Sequence, residues 1–114
     1  KFRWDGKFVA NPAIKGTWNL LTEVAEITDF DPAAKKNPKA RRPLFTRITF
    51  EENGTSDHSS RVWSGNTLMD LDKYQALEMT VEKVGERDFL FIETGGFSTR
   101  NKPGWKPKWL VLSR

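Results

Sequence analysis

Apolar residues along this chain recur mostly at every second position, and no stretch carries the 3.6-residue period of a long amphipathic helix, so the pattern predicts strands. The first is expected over Gly16 to Thr28, with Trp18, Leu20, Thr22 and Val24 on one face and Leu21, Ala25 and Ile27 on the other. A long loop follows from Asp29 to Pro43, where Asp31 and Pro32 suit the cap and first position of one helical turn. Leu44 to Glu52 alternates, with Leu44, Ile48 and Phe50 opposing Phe45, Arg47 and Thr49. Asn53-Gly54 then predicts a type I′ hairpin, and Thr55 to Trp63 the return strand, polar until Val62. Ser64-Gly65-Asn66 turns into a short strand over Thr67 to Asp70. Tyr74 to Val84 presents Leu77, Met79 and Val81 on one face, and Gly85 to Asp88 turns again. Phe89-Leu90-Phe91-Ile92 is continuously apolar, which marks a central strand buried on both faces. Pro107 to Arg114 is the last strand, with its proline at the start where no ladder bond is lost.

These segments amount to about seven strands. An even-stranded closed barrel needs an eighth, and Gly96 to Arg100 is the candidate. In such a barrel the start of the first strand lies beside the end of the last. That places Trp18, in Gly16-Thr17-Trp18, against Arg114, in Trp109-Leu110-Val111-Leu112-Ser113-Arg114, with the guanidinium over the indole and the floor plugged. The fold class is therefore all-β, a small antiparallel barrel of about eight strands. A chain of 114 residues makes one such domain. Residues 1–15, mixed in character and broken at Asn11-Pro12, read as an N-terminal extension or inter-module linker, and 16–114 as the barrel. The chain opens on Lys1 rather than Met, which suggests a piece of something longer.

Composition adds a few exclusions. Five Trp and eight Phe stand against only 37% hydrophobic residues, a balance that suits a small core filled by rings. With no Cys there is no disulfide scaffold, thiolate metal site or thiol nucleophile. No apolar run reaches the length of a membrane span. The net charge of +4 comes from interspersed cations and anions, as on a solvated surface.

Several short motifs stand in a telling order: Phe8-Val9 with Asn11-Pro12, Gly16-x-Trp18 and Phe30-Asp31-Pro32; Ile48-x-Phe50 with Asn53-Gly54 and Trp63-x-Gly65; Tyr74 with Met79 and Leu90-Phe91-Ile92-Glu93; and Lys106-Pro107-x-Trp109-x-Val111-Leu112-x-Arg114. From about Phe8 onward the chain thus resembles an uncharacterised bacterial domain of the calycin, lipocalin-like kind. That domain occurs singly or in tandem, often fused to sensor-transducer proteins of the antibiotic-sensing peptidase type. The resemblance implies a lipocalin-like barrel and an extracytoplasmic or sensory binding module, and no particular activity. Where the family has a Trp-Lys-Ser-Gly-like run after the glutamate, this chain has Thr94-Gly95-Gly96-Phe97.

Few side chains suggest chemistry. Ser56-Asp57-His58-Ser59-Ser60 holds the letters of a hydrolytic triad, but neighbours in a strand point to opposite faces, so Asp57 and His58 are not expected to face each other. His58 is the one histidine, too few for a zinc site; Asp29 with Asp31 and Asp70 with Asp72 lack calcium-loop spacing and read as turn and cap residues. No cofactor, metal or catalytic group is expected. Asn53-Gly54-Thr55 fits the glycosylation pattern, yet the turn already accounts for it. Glu93 shares a face with Phe89 and Phe91. It is either an ion-pair partner of Arg47, Arg61 or Arg114, or a polar anchor in a pocket walled by Trp63 and Tyr74 with Arg47 as charge partner. The basic loop Lys35 to Arg42 is a solvated loop, or one that recognises anions or a membrane surface, as a lid for acidic ligands at the barrel mouth would. Arg100 to Trp109 interleaves cations with indoles, as single-stranded nucleic-acid sites do.

The leading expectation is a non-enzymatic binding or sensory module that takes a small ligand or peptide at the open end, through Trp63, Tyr74, Glu93 and Arg47. The alternative is a structural or protein-interaction module of a larger bacterial chain, with a filled core and an exposed apolar patch near Phe2, Trp4 and Phe8. Single-stranded nucleic-acid binding is a weaker third reading, and membrane insertion is not expected.

Overall fold

The structure is a computed structural model that describes residues 8–32, 45–72, 75–93 and 108–114. Tyr74, the basic loop Lys35 to Arg42, the candidate strand Gly96 to Arg100, Phe2, Trp4 and Trp105 lie outside the described residues.

The described residues form seven strands: β1 (Gly16–Val24), β2 (Arg47–Phe50), β3 (Arg61–Ser64), β4 (Thr67–Asp70), β5 (Gln75–Val84), β6 (Arg87–Glu93) and β7 (Trp109–Ser113). All pairings are antiparallel, in one sheet of order β2-β1-β7-β6-β5-β4-β3. β6 lies at its centre, and its apolar run Phe89 to Ile92 is buried on both faces as its composition requires. First and last strands are neighbours, Asn19 opposite Ser113.

The sheet curls until β2 and β3 nearly meet, and residues 54–57 complete the ring. Phe50 bridges to Ser56 and Thr55 to Val62. The Asp57 N–H donates to the Thr49 carbonyl at 3.2 Å, and the Trp63 N–H to the Gly54 carbonyl at 2.8 Å. The fold is a small antiparallel barrel, nearly closed. The return strand expected over Thr55 to Trp63 is thus two pieces, a short bridging stretch and β3, separated by the turn at residues 57–60. The hairpin also differs from the type I′ turn expected at Asn53-Gly54. The Glu51 N–H donates to the Thr55 carbonyl (2.9 Å) and the Gly54 N–H to the Glu51 carbonyl (3.2 Å), which encloses a three-residue loop. Gly54 takes its left-handed position, φ +89°, as such loops demand.

Two clusters sandwich the sheet. Inside, Trp18, Ile48, Phe50, Trp63, Leu68, Leu77, Met79, Leu90, Ile92, Leu110 and Leu112 pack with Ile14 and Phe45. Outside, Phe30 covers Phe89, Phe91 and Val111, with Val24, Ile27, Val84 and Trp109 around them. Phe30 is delivered by the segment after β1, a single 3-10 turn at Ile27–Asp29 rather than a continuation of the strand to Thr28.

A bulge in β1 allows this double layer. Leu20 faces Leu112 but Thr22 faces Val111, so Leu21 is an extra residue. Trp18 and Leu20 point inward; beyond the bulge Thr22 and Val24 share the outer face with Val111 and Trp109, and Glu23 joins Leu110 inside. The single-faced set of Trp18, Leu20, Thr22 and Val24 expected from alternation is split here. Phe45, expected beside Arg47 and Thr49, instead joins the inner cluster, because β2 begins only at Arg47 and alternation does not bind the residues before it.

Candidate functional site

The floor of the barrel is closed as the termini suggested. Arg114 places its guanidinium 4.2 Å from the centre of the Trp18 ring. Its Nη1 donates to the Lys15 carbonyl and its Nη2 to the Ala13 carbonyl, both at 2.7 Å. Trp18 is fully buried and its Nε1–H donates to the Ile14 carbonyl at 2.7 Å. The planar fork of arginine suits two diverging carbonyls while its face lies on the indole. Gly16, at φ +113°, leaves room for it: a Cβ there would stand 2.6 Å from Arg114 Nη1.

Residues 8–15, expected to precede the barrel, form a strap across this end. The Gly65 N–H donates to the Val9 carbonyl (2.8 Å), the Val9 N–H to Ser64 Oγ (2.8 Å), and Asn11 Nδ2 to the Gly65 carbonyl (3.0 Å). The Asn11 carbonyl accepts from the Ile14 N–H at 3.0 Å, and Ile14 is buried in the inner cluster. Asn11-Pro12 therefore marks a turn that tucks Ile14 under the barrel. Phe8 meets Trp63 edge-on, ring centres 4.9 Å apart.

Between strap and hairpin lies a cleft of about 500 Å³, lined by Phe8, Ala10, Asn11, Pro12, Lys15, Glu52 and Trp63. Its wall is mostly apolar. Its rim carries the exposed ion pair of Lys15 Nζ and Glu52 Oε1. The hydrogen bond and charge of Lys15 hold the Glu52 carboxyl below its ordinary value. A volume of this size accepts one or two side chains or a small molecule.

The opposite end is polar. Arg61 Nε stands 3.6 Å from Asp70 Oδ2, with both side chains largely buried, and the Arg61 guanidinium lies 5.3 Å from the centre of the Phe45 ring. His58 packs on that ring, centres 5.7 Å apart. Glu23 points to the inner face at this level, 83% covered, with Lys108 Nζ 4.0 Å away.

Among the described residues, the expected site residues do not come together. Trp63 is buried in the inner cluster, against Phe8 and Phe50, with its Nε1–H on the Glu51 carbonyl (3.0 Å). Arg47 is exposed on β2, its neighbour Ile48 taking the inner face. Glu93 is buried and alternates with Leu90 and Ile92, so it shares the outer face with Phe89 and Phe91, across the sheet from Trp63. Arg61 and Arg114, weighed as its partners, are engaged with Asp70 and with the floor. Tyr74 is outside the described residues. The strap-and-hairpin cleft was not anticipated; the Asn11-Pro12 break was its only sign. Glu23 was hidden by the bulge, which no alternation rule registers.

The triad letters remain unassembled, for a reason other than strand alternation. Residues 57–60 turn, so Asp57 Oδ1 and His58 Nε2 approach to 3.8 Å after all. Ser56 Oγ, however, lies 3.0 Å and 2.9 Å from the carbonyls of His58 and Arg61 and accepts the His58 N–H at 3.1 Å. It thus serves the turn rather than the imidazole. Among the described residues no three carboxylate or histidine side chains converge as a metal site.

A scan against protein-family models finds no match, and searches of curated proteins and of solved structures find none either.

Proposed function

We propose that the chain is a non-enzymatic interaction module that binds an extended peptide segment in the cleft between strap and hairpin. The observation that carries this reading is the contrast between a filled interior and an open floor cleft. Trp18, Ile48, Met79, Leu90, Ile92, Leu110 and Leu112 are 0% exposed, so the described interior is occupied by the protein's own side chains. That weighs against a ligand held deep in the barrel. The cleft, by contrast, offers the edges of Phe8, Ala10 and Pro12 to an apolar side chain, and a cation and an anion at its rim to the flanking backbone or charges. Side chains gripped by a rigid wall and oriented by a few polar groups are the usual economy of peptide sites. The resemblance to lipocalin-like bacterial domains supports the same class, a binding module placed beside others in a longer chain.

The test is titration of the 15N-labelled protein with peptides that carry one aromatic residue beside a Lys or Glu. Amide shifts should concentrate at Val9, Ala10 and Glu52. Ala10→Glu, which intrudes on the apolar wall, should weaken binding at least about tenfold, or ~1.4 kcal/mol, while Glu82→Lys on β5 changes nothing. Shifts confined to Arg61, His58 and Asp70 would move the site to the mouth and overturn this reading.

A further inference from the structure

β2 and β3 are the two ends of the sheet order, and the ring between them is completed only by residues 54–57. His58 stands on that seam. Its Nε2 is 3.1 Å from the Arg47 carbonyl of β2, and its Nδ1 is 3.2 Å from Arg61 Nη1 of β3. A carbonyl only accepts a hydrogen bond and a guanidinium only donates one. Both contacts are therefore satisfied in a single state of the ring, neutral, with its hydrogen on Nε2 and a lone pair on Nδ1.

We propose that His58 is a proton-sensitive clasp on the barrel seam, closed when neutral and released from the Arg61 guanidinium of β3 when it takes up a proton. A second hydrogen on Nδ1 removes the acceptor that Arg61 uses and sets an imidazolium against a guanidinium. The charged groups around the ring, among the described residues, act in one direction. From β3 comes Arg61, and from β4 Asp70, which stands 3.6 Å from Arg61 Nε and retains it. From its own turn comes Asp57, with Oδ1 3.8 Å from Nε2. The same Oδ1 accepts the Thr49 N–H at 2.9 Å and so belongs to the β2 side. From β2 comes only the Arg47 carbonyl; Phe45 adds an uncharged ring. Protonation thus removes the side-chain bond between the imidazole and Arg61 of β3, while Nε2 still donates to the Arg47 carbonyl and the Arg61 N–H still donates to the His58 carbonyl at 3.0 Å. Arg61 stays with Asp70, and the seam between β2 and β3 loses one side-chain tie beside its backbone bonds.

The test uses the full chain, labelled with 15N. At about pH 8 the ring nitrogens should report the tautomer protonated at Nε2. Between about pH 8 and pH 5, the range in which imidazoles exchange protons, protection of the Asp57 and Trp63 amides against hydrogen exchange, corrected for the intrinsic effect of pH, should fall about tenfold. The Leu90 amide in β6 should keep its protection, and in His58→Gln the fall should be absent. A ring protonated at Nδ1 at pH 8, or seam protection that ignores pH in the native chain, overturns the proposal. Those two readouts decide it even if His58→Gln does not fold.

Discussion

Arg114 is exposed yet ties the last strand to the strap and the floor at once. It spans two strap carbonyls and covers the Trp18 ring, so its removal strips a cation–π contact and two charge-assisted hydrogen bonds together. Arg114→Ala should cost about 3 kcal/mol in chemical denaturation, and Arg114→Lys should recover less than half of that, since an ammonium cannot reach both carbonyls and lie flat on an indole. Gly16→Ala should cost about 2 kcal/mol, from its φ of +113° and from the approach of Cβ to Arg114. In the Arg114→Ala background part of that penalty should vanish, because only the backbone strain is left. Trp18 and Arg114 could be paired from the sequence because barrel closure is a global constraint that needs no knowledge of loops. The ion pair at the cleft could not, since Lys15 and Glu52 are joined only once the strap has folded back. Lys15 lowers the Glu52 carboxyl, so the carboxylate is favoured by folding. The resulting stability is present above the ordinary value of 4.5 and lost as pH falls through the lowered one. Melting temperatures should therefore separate the native chain from Glu52→Gln near neutral pH and converge in acid. A gap that widened in acid would refute the assignment.

At the scale of elements, alternation, the hairpin signal and the apolar run at Phe89 to Ile92 together overlap every described strand, and the bulge in β1 shows where alternation stops being informative. Period two carries a side assignment along a strand only while the ladder is regular. One extra residue at Leu21 inverts it, which is why Glu23 turned out to face inward and why Val24 joins Phe30 outside. Glu93 illustrates a different limit. Its companions Phe89 and Phe91 were identified correctly, but a strand buried on both faces gives no sign of which face is the interior. The bulge makes a prediction of its own. Deleting Leu21 leaves Leu20 opposite Leu112 and Thr22 opposite Val111, so the variant should fold and lose no more than about 2 kcal/mol. Deleting Val81 from the regular β5 slips the remaining register and carries Glu82 to the inner face. That variant should lose more than about 4 kcal/mol or fail to fold. Equal tolerance of the two deletions, read from denaturation midpoints, would contradict the registers described here.

For the whole molecule, the nearly closed ring, the plugged floor and the double-layered sheet lead to one consequence: the described interior is used up by side chains, and the proposed binding falls to the surface at the floor. Small barrels of this girth are filled rather than hollow when large rings enter from several strands, as Trp18, Phe50 and Trp63 do here. The direct measurement is methyl NMR of the 13C-labelled protein under xenon pressure, since xenon enters apolar voids and shifts the methyls that line them. Saturable shifts are expected at Val9 and Ala10 beside the cleft and none at Ile48, Met79, Leu90, Ile92, Leu110 or Leu112. Saturable shifts at those inner methyls, with the cleft silent, would mean a hollow barrel, the opposite of the filled interior described.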